Sequence, residues 1–149
     1  MVDLWSGCGM RYRKRSITRT FEFLSSQTLD MLHSAICEVF KRDDMMHLYH
    51  FAFGSQKPYD SKATTIDCPE SCHSRYCTTE VTLGDLNLLP KDTFYYLFDY
   101  GDSWWHRIIV LDSHMKPGRG KKYPVLVALK GECPKMYGDI DEEDEDEDV

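Results

Sequence analysis

Residues 94–111 read FYYLFDYGDSWWHRIIVL, and the interpretation of the rest of the chain depends on this stretch. Two runs rich in aromatic and β-branched residues flank the pair Gly101-Asp102. Such runs favour strands, and a Gly-Asp pair between them is typical of the tight turn of a β-hairpin. We expect Gly101 to supply the positive φ that such a turn demands.

The predicted loop of this hairpin has two or four residues, which places Asp99 directly opposite Trp104. Because side chains alternate along a strand, the hairpin then presents two distinct faces. One face carries Tyr95, Leu97, Asp99, Trp104, His106 and Ile108. The other carries Phe94, Tyr96, Phe98, Trp105 and Ile109. Both faces are rich in apolar groups, so we expect the hairpin to be central in its sheet and covered on both sides.

The segments around the hairpin show strand and helix patterns. Alternating apolar residues predict strands at 16–24, 47–53 and 79–83, and the apolar run 123–129 predicts a last one. Residues 1–15 show no convincing strand pattern.

One segment has the spacing of an amphipathic helix. Apolar residues recur at three- and four-residue intervals from Leu29 to Phe40, and Thr28 precedes them as a candidate N-cap. We therefore predict one main helix at about 28–41. Together the elements predict an α+β fold in two layers: the helix packs on one face of a largely antiparallel mixed sheet, with the 94–111 hairpin at its centre.

Length and charge predict a single domain at 1–138 followed by a disordered acidic tail at 139–149. The tail holds nine of the 25 acidic residues, which leaves 16 acids against 18 Lys and Arg in the body, a net charge of about +2. A solubilising role is the simpler interpretation of the tail, and a phosphate mimic lying over the chain's own basic patch is the alternative. Without a long apolar run or an export signal, we expect a cytoplasmic protein with reduced cysteines.

The hairpin carries the residue types of acid–base chemistry. Asp99 and His106 fall on one predicted face, where an aspartate orients a histidine as a general base. With Asp102 or His47 assisting, the pair fits a small metal-assisted hydrolase or nuclease. The same pair is equally suited to a buried ion pair that fixes the register of the strands, and no nucleophile accompanies it.

Cysteines raise the question of metal. The residues Cys68, Cys72 and Cys77 surround His73 in a polar segment, and three thiolates with one imidazole match a tetrahedral zinc site. Free thiols in a loop are the alternative, because the usual Cys-x2-Cys spacing is absent. We expect no other cofactor.

Nucleic acid is a candidate partner. Basic segments at 11–19 and 116–122 predict phosphate contacts, and nearby aromatic rings could stack on bases. The candidate binding residues are Trp104, Trp105, Arg19, Lys121 and Lys122. Against this stands the nearly neutral body, since nucleic-acid-binding domains are usually strongly basic.

The stretch FDYGDSWWH resembles the YDFGDxWxH signature of the plasmid pRiA4b ORF-3-like family. Upstream, residues 17–33 and the segment HLYHF at 47–51 resemble further blocks of that family. The chain departs from the family pattern at Thr18, Thr20 and Tyr49, and it lacks the acids that follow Pro134 in the family. The resemblance implies an association with mobile DNA elements and no defined reaction. We therefore favour a non-catalytic binding or adaptor domain for protein or nucleic acid, with the hydrolase or nuclease as the alternative.

Overall fold

A computed structural model describes residues 1–42, 46–73 and 76–136. Its elements are β1 (Val2–Gly7), β2 (Met10–Arg11), β3 (Thr18–Glu22), α1 (Leu29–Val39), β4 (Tyr49–Phe53), β5 (Thr64–Asp67), β6 (Thr93–Phe98), β7 (Trp104–Ile109) and β8 (Val125–Lys130). A 3-10 turn at Gly84–Leu86 precedes β6. The predicted disordered tail lies outside the described residues. Within them, no helix has the length and apolar character needed to cross a membrane.

The strands form one open eight-stranded sheet in the order β5-β4-β6-β7-β1-β3-β8, with β2 paired to β1. Every pairing between described strands is antiparallel, so the parallel part of the predicted mixed sheet does not occur among them. Helix α1 packs on one face, and its buried residues share the main core with β6 and β7. A smaller cluster of Ala52, Tyr95, Leu97 and Trp105 lies apart from this core. The arrangement fits an α+β class in which the helix is the minor part.

The β6–β7 hairpin is central, as predicted, but its predicted register is wrong by one residue. Phe98 pairs with Trp104 and Tyr96 pairs with His106, so the loop has five residues, 99–103. Positive φ occurs at Asp99 (62°) and Ser103 (53°) rather than at Gly101. A shift of one residue moves a whole strand's side chains to the opposite face. His106 therefore lies with Tyr96 on the helix-facing side.

The weak strand pattern at 1–15 is misleading, because β1 lies between β7 and β3 in the middle of the sheet. Val2 and Leu4 are almost completely buried. Asp3 is also fully buried, and its carboxylate accepts hydrogen bonds from the Arg107 guanidinium at 2.8 Å and from the backbone N–H of Arg15. A charged residue in a buried strand hides the strand pattern unless its partner is known.

Helix α1 begins and ends at identifiable caps. The Thr28 hydroxyl accepts a hydrogen bond from the N–H of Met31 at 3.2 Å, which confirms the predicted N-cap. At the other end Lys41 adopts a left-handed φ of 53°, and the N–H of Arg42 donates to the carbonyl of Cys37 at 2.8 Å. These features define a Schellman motif. The motif turns the chain at Arg42, whose side chain is 2% exposed.

Two other predictions concern the polar middle of the chain. The segment 79–83 is not a strand: it forms a turn, and Thr82 makes only an isolated bridge with Thr28. The polar segment 54–78, where the sequence predicted no strand, contains β5. The last apolar run forms β8, as predicted.

Gly7 provides a test of how tightly the centre is packed. A Cβ atom at this position would overlap the Trp104 ring. Gly7→Ala should therefore lower the free energy of unfolding by about 1–3 kcal/mol, since the ring must shift within a filled core. Urea unfolding measures this directly.

Gly101→Ala is the matched control. A Cβ at Gly101 meets only Asp99 Oδ1, at 3.3 Å, and its backbone is not left-handed. We expect a loss of about 1 kcal/mol or less. A larger loss for Gly101→Ala than for Gly7→Ala would contradict the loop geometry described above.

Candidate functional site

The predicted pair of Asp99 and His106 does not form. His106 is 0% exposed on β7, and its Nδ1 lies 3.4 Å from the carbonyl oxygen of Tyr96. Burial lowers the pKa of His106 well below its ordinary value, and the positive charge of Arg42 lowers it further. His106 is thus a neutral core residue, without the access to solvent that a general base needs.

Asp99 shapes the hairpin loop. Its Oδ1 accepts hydrogen bonds from the N–H groups of Gly101 at 3.0 Å and Asp102 at 3.4 Å. These bonds support the left-handed φ of Asp99, since short polar side chains stabilise that conformation locally. Its Oδ2 lies 3.6 Å from Nδ1 of His47, whose side chain is 30% exposed. The structure therefore pairs Asp99 with His47 instead of His106.

Cys8, to which the sequence assigned no role, contacts the loop of the hairpin. Its N–H donates to the carbonyl of Asp102 at 2.8 Å. Cys8 is exposed, but partial desolvation raises the pKa of its thiol, and a hydrogen bond with Asp102 raises it further. A thiol held protonated in this way is a weak nucleophile. The described residues around it supply no combination of three His, Cys, Asp or Glu side chains that could hold a metal ion.

The five candidate binding residues separate into two groups. Trp104 (1% exposed), Trp105 (5%) and Arg19 (7%) are buried. The Trp104 ring lies 3.9 Å from the Arg42 guanidinium carbon, and the Trp105 ring lies 5.0 Å from that of Tyr59. The remaining two, Lys121 and Lys122, are exposed, and Lys121 lies 3.8 Å from Glu22. Only the two lysines are therefore available at the surface.

The cysteine segment is arranged differently from a zinc site. Cys72 and Cys77 form a disulfide, so these two of the six cysteines are not reduced in this structure. Cys68 is fully buried, with its Sγ 3.3 Å from the Ser71 hydroxyl. His73 is exposed. The four residues predicted as ligands are thus not presented as one tetrahedral set.

Strand β8 is a surface that the sequence did not single out. It ends the sheet, and no described strand pairs with its outer edge. Its apolar side chains are exposed: Leu126 by 40%, Val127 by 48% and Leu129 by 67%. The apolar run 123–129 predicted a strand here, but sequence periodicity does not reveal which strand of a sheet is at the edge.

A groove of about 650 Å³ adjoins this strand. Apolar residues from several segments line it, including Phe21, Phe23, Leu83, Leu88, Met115 and Val127. Polar groups are fewer, with Glu22 and Lys116 among them. A concave apolar surface with a few polar groups is typical of a binding site.

A family model described as plasmid pRiA4b ORF-3-like protein matches residues 9–142. The chain is similar to the crystal structure of MM3350, a protein of unknown function from Methanosarcina mazei Go1, with a TM-score of 0.61 and 22% sequence identity. That match covers 86% of this chain and 67% of MM3350, and at this identity it shows the fold alone. No curated protein matches the chain.

The buried histidines predict how stability depends on pH. Burial lowers the pKa of His33 to about 4, and it also lowers that of His106. In the unfolded chain a histidine binds a proton near pH 6.5. Below that pH the unfolded state therefore binds more protons than the folded state, so stability falls as the pH is lowered. Between pH 6.5 and 5 we expect a loss of roughly 2 kcal/mol from His33, measured by urea unfolding.

The exposed His114 offers a control, because His114→Gln should leave this pH dependence unchanged. Equal free energies of unfolding at pH 7 and pH 5 would show that the two histidines are not held neutral in the folded protein.

Proposed function

The chain belongs to the plasmid pRiA4b ORF-3-like family, and from the geometry of its sheet edge we propose that it is a non-catalytic binding domain for a protein partner. The partner contributes an extended segment that adds a strand to the outer edge of β8. The observation that carries this proposal is that the outer edge of β8 pairs with no strand among the described residues, while the apolar side chains of β8 are exposed.

The two edges of the sheet differ in a way that supports the proposal. Strand β5 ends the other side and presents Thr64, Thr65 and Asp67, polar residues that suit an edge in water. Natural sheets protect their edges with charges, prolines or short strands. Strand β8 has six residues, and its single charge is the terminal Lys130. Such an edge is suited to pairing with another chain.

Strand addition also explains how the surface would select its partner. Main-chain hydrogen bonds to β8 supply affinity, and alternate side chains of the added segment meet different surfaces. Val127 lines the apolar groove, so an apolar side chain of the partner is expected there. The exposed Lys116, Arg119 and Lys122 precede β8 and favour acidic residues flanking the apolar ones.

The alternatives have less support. A hydrolase or nuclease based on the hairpin lacks its expected pair, because Asp99 supports the loop and His106 is enclosed. A nucleic-acid partner lacks stacking surfaces at Trp104 and Trp105, which are both buried. The association with mobile DNA elements rests on the family's name.

A synthetic peptide tests strand addition. Its centre alternates valine and threonine over five residues, with two acidic residues at each end, and a second version carries proline at the centre. In 15N-labelled protein we expect the first peptide to shift β8 amide resonances in a saturable way. The proline version should bind at least about tenfold more weakly, because proline removes a ladder N–H.

The double variant Val127→Lys/Leu129→Lys should lose the response, since charges on an edge oppose strand pairing. Thr65→Lys on β5 is the matched control and should retain it. Absence of β8 shifts at about millimolar peptide, or equal shifts in the double variant, would refute the proposal. Sedimentation gives a further outcome that would refute the proposal. If the protein is a dimer and the double variant is a monomer, a second copy of the chain occupies the edge.

A further inference from the structure

Three arginines are buried, and they differ in how their guanidinium groups are satisfied. Arg19 donates to the carbonyls of Thr18, Lys130 and Gly131 and to the Cys133 sulfur. Arg107 donates to Asp3 at 2.8 Å. Arg42 is 2% exposed, and its Nε, Nη1 and Nη2 have no hydrogen-bond partner among the described residues. A buried charge without a partner is strongly unfavourable, so Arg42 requires an explanation.

The surroundings hold Arg42 in one position. The Schellman motif at the end of α1 fixes its backbone through Cys37. Its guanidinium carbon lies 3.9 Å from the centre of the Trp104 ring and 5.9 Å from that of Phe40. Stacking on aromatic faces leaves the edge of the guanidinium fork, with its five N–H groups, directed away from the rings.

Two further polar atoms near Arg42 lack partners. Trp104 Nε1 and His106 Nε2 are buried and make no hydrogen bond with the described residues. Both side chains project from the same face of β7, two residues apart. The Phe40 ring, beside Arg42, lies 5.0 Å from the His106 ring. Buried polar groups normally have hydrogen-bond partners. Three side chains without such partners in one cluster therefore indicate that a shared partner is missing.

We infer that Arg42, Trp104 and His106 form a binding site for an oxyanion, a carboxylate or phosphate group. A planar guanidinium binds such groups through two parallel hydrogen bonds. The indole N–H supplies another donor. The neutral imidazole of His106 lines the site, where Nε2 can accept a hydrogen bond from the hydroxyl of a hydrogen phosphate.

The polar atoms of the site are buried, but an exposed residue lies close to them. Cys8 is exposed, and the charges of Asp102, Asp99 and Arg42 all act on the pKa of its thiol. The Cys8 sulfur donates to the carbonyl of Met136 at 3.7 Å, and Met136 is packed in the main core. Met136 thus brings the C-terminal part of the chain to the same region.

The oxyanion could come from two sources, the acidic tail of the same chain or a free anion in solution. Residues 139–148, DIDEEDEDED, carry nine acidic side chains and begin three residues after Met136. Five extended residues span up to about 17 Å, so the first carboxylates that follow Met136 can lie anywhere within that distance of it. A free oxyanion from solution is the other source. Both present the same chemistry to Arg42.

NMR of the full-length 15N-labelled protein tests the site. The probes are the Arg42 Nε–H and Trp104 Nε1–H resonances, assigned with Arg42→Lys and Trp104→Phe. Citrate and inorganic phosphate are added against sodium chloride of equal ionic strength. If the source is free anion, both resonances shift saturably in the wild-type chain, the response is lost in Arg42→Met, and it is retained in Arg19→Met.

A full-length variant with the nine acids of 139–148 changed to amides identifies the other source. If the tail occupies the site, this variant shifts both resonances relative to wild type and then responds to added citrate, whereas wild type does not. The inference is overturned if neither chain responds. It is also overturned if Asp43→Asn/Asp44→Asn alone shifts both resonances and makes the chain respond to citrate, because Arg42 would then be paired with its sequence neighbours. Both aspartates lie outside the described residues.

Thermal unfolding gives a second readout. In the variant whose tail acids are amides, and in buffer of low anion content, Arg42 carries an uncompensated buried charge, so adding Arg42→Met to that variant should leave its melting temperature unchanged or raise it. Arg19→Met removes a satisfied group and should melt several degrees lower. In whichever chain the site is free of the tail, saturating citrate should raise the melting temperature. Arg42→Met made in that same chain should show no such rise. Similar losses in Arg42→Met and Arg19→Met would argue against the inference.

Discussion

The pairing of Phe98 with Trp104, set by the five-residue loop 99–103, determines which side chains of the central hairpin face the helix. With this register, Tyr96, Trp104 and His106 enter the main core. A register shifted by one residue would pair Asp99 with Trp104 and place Asp99 and His106 on the same face of the hairpin. The enclosure of His106, the stacking of Trp104 on Arg42 and the position of Asp99 next to His47 all depend on this pairing.

The centre of the sheet stabilises the register from the other side. Strand β1 pairs with β7, and the buried ion pair of Asp3 with Arg107 joins the two strands. Gly7 lies against the Trp104 ring, where any side chain would overlap it. Since removing one member of a buried pair leaves an uncompensated charge, the pair opposes alternative alignments more than it adds net stability.

The sequence predicted the elements with strong local signals. The apolar spacing of α1, its Thr28 cap and the existence of a hairpin at 94–111 depend on neighbouring residues, and all three are found. The register depends on loop length, and a Gly-Asp pair fits loops of two, four or five residues equally well. The left-handed residues are Asp99 and Ser103, and the side chain of Asp99 supports its own conformation.

Other features were beyond sequence reasoning because they depend on distant partners. The strand character of 2–7 is hidden by Asp3, which is buried only because Arg107 neutralises it 104 residues later. Lys41-Arg42 resembles an ordinary basic helix end, yet the Schellman motif directs Arg42 inward. Strand β8 has the composition of a core strand, and only the strand order places it at the edge. These long-range relationships determine both candidate surfaces.

The candidate sites proposed here are therefore the edge of β8 and the guanidinium of Arg42, both of which lack a partner among the described residues. The register of the hairpin encloses His106 as a neutral core residue. The most direct test is a two-dimensional 1H–15N spectrum of the His106 imidazole recorded between pH 5.5 and 8. We predict nitrogen shifts of a single neutral tautomer with the proton on Nδ1, unchanged across this range. Shifts that follow a titration near pH 6.5 would contradict the register and return His106 to the candidate catalytic residues.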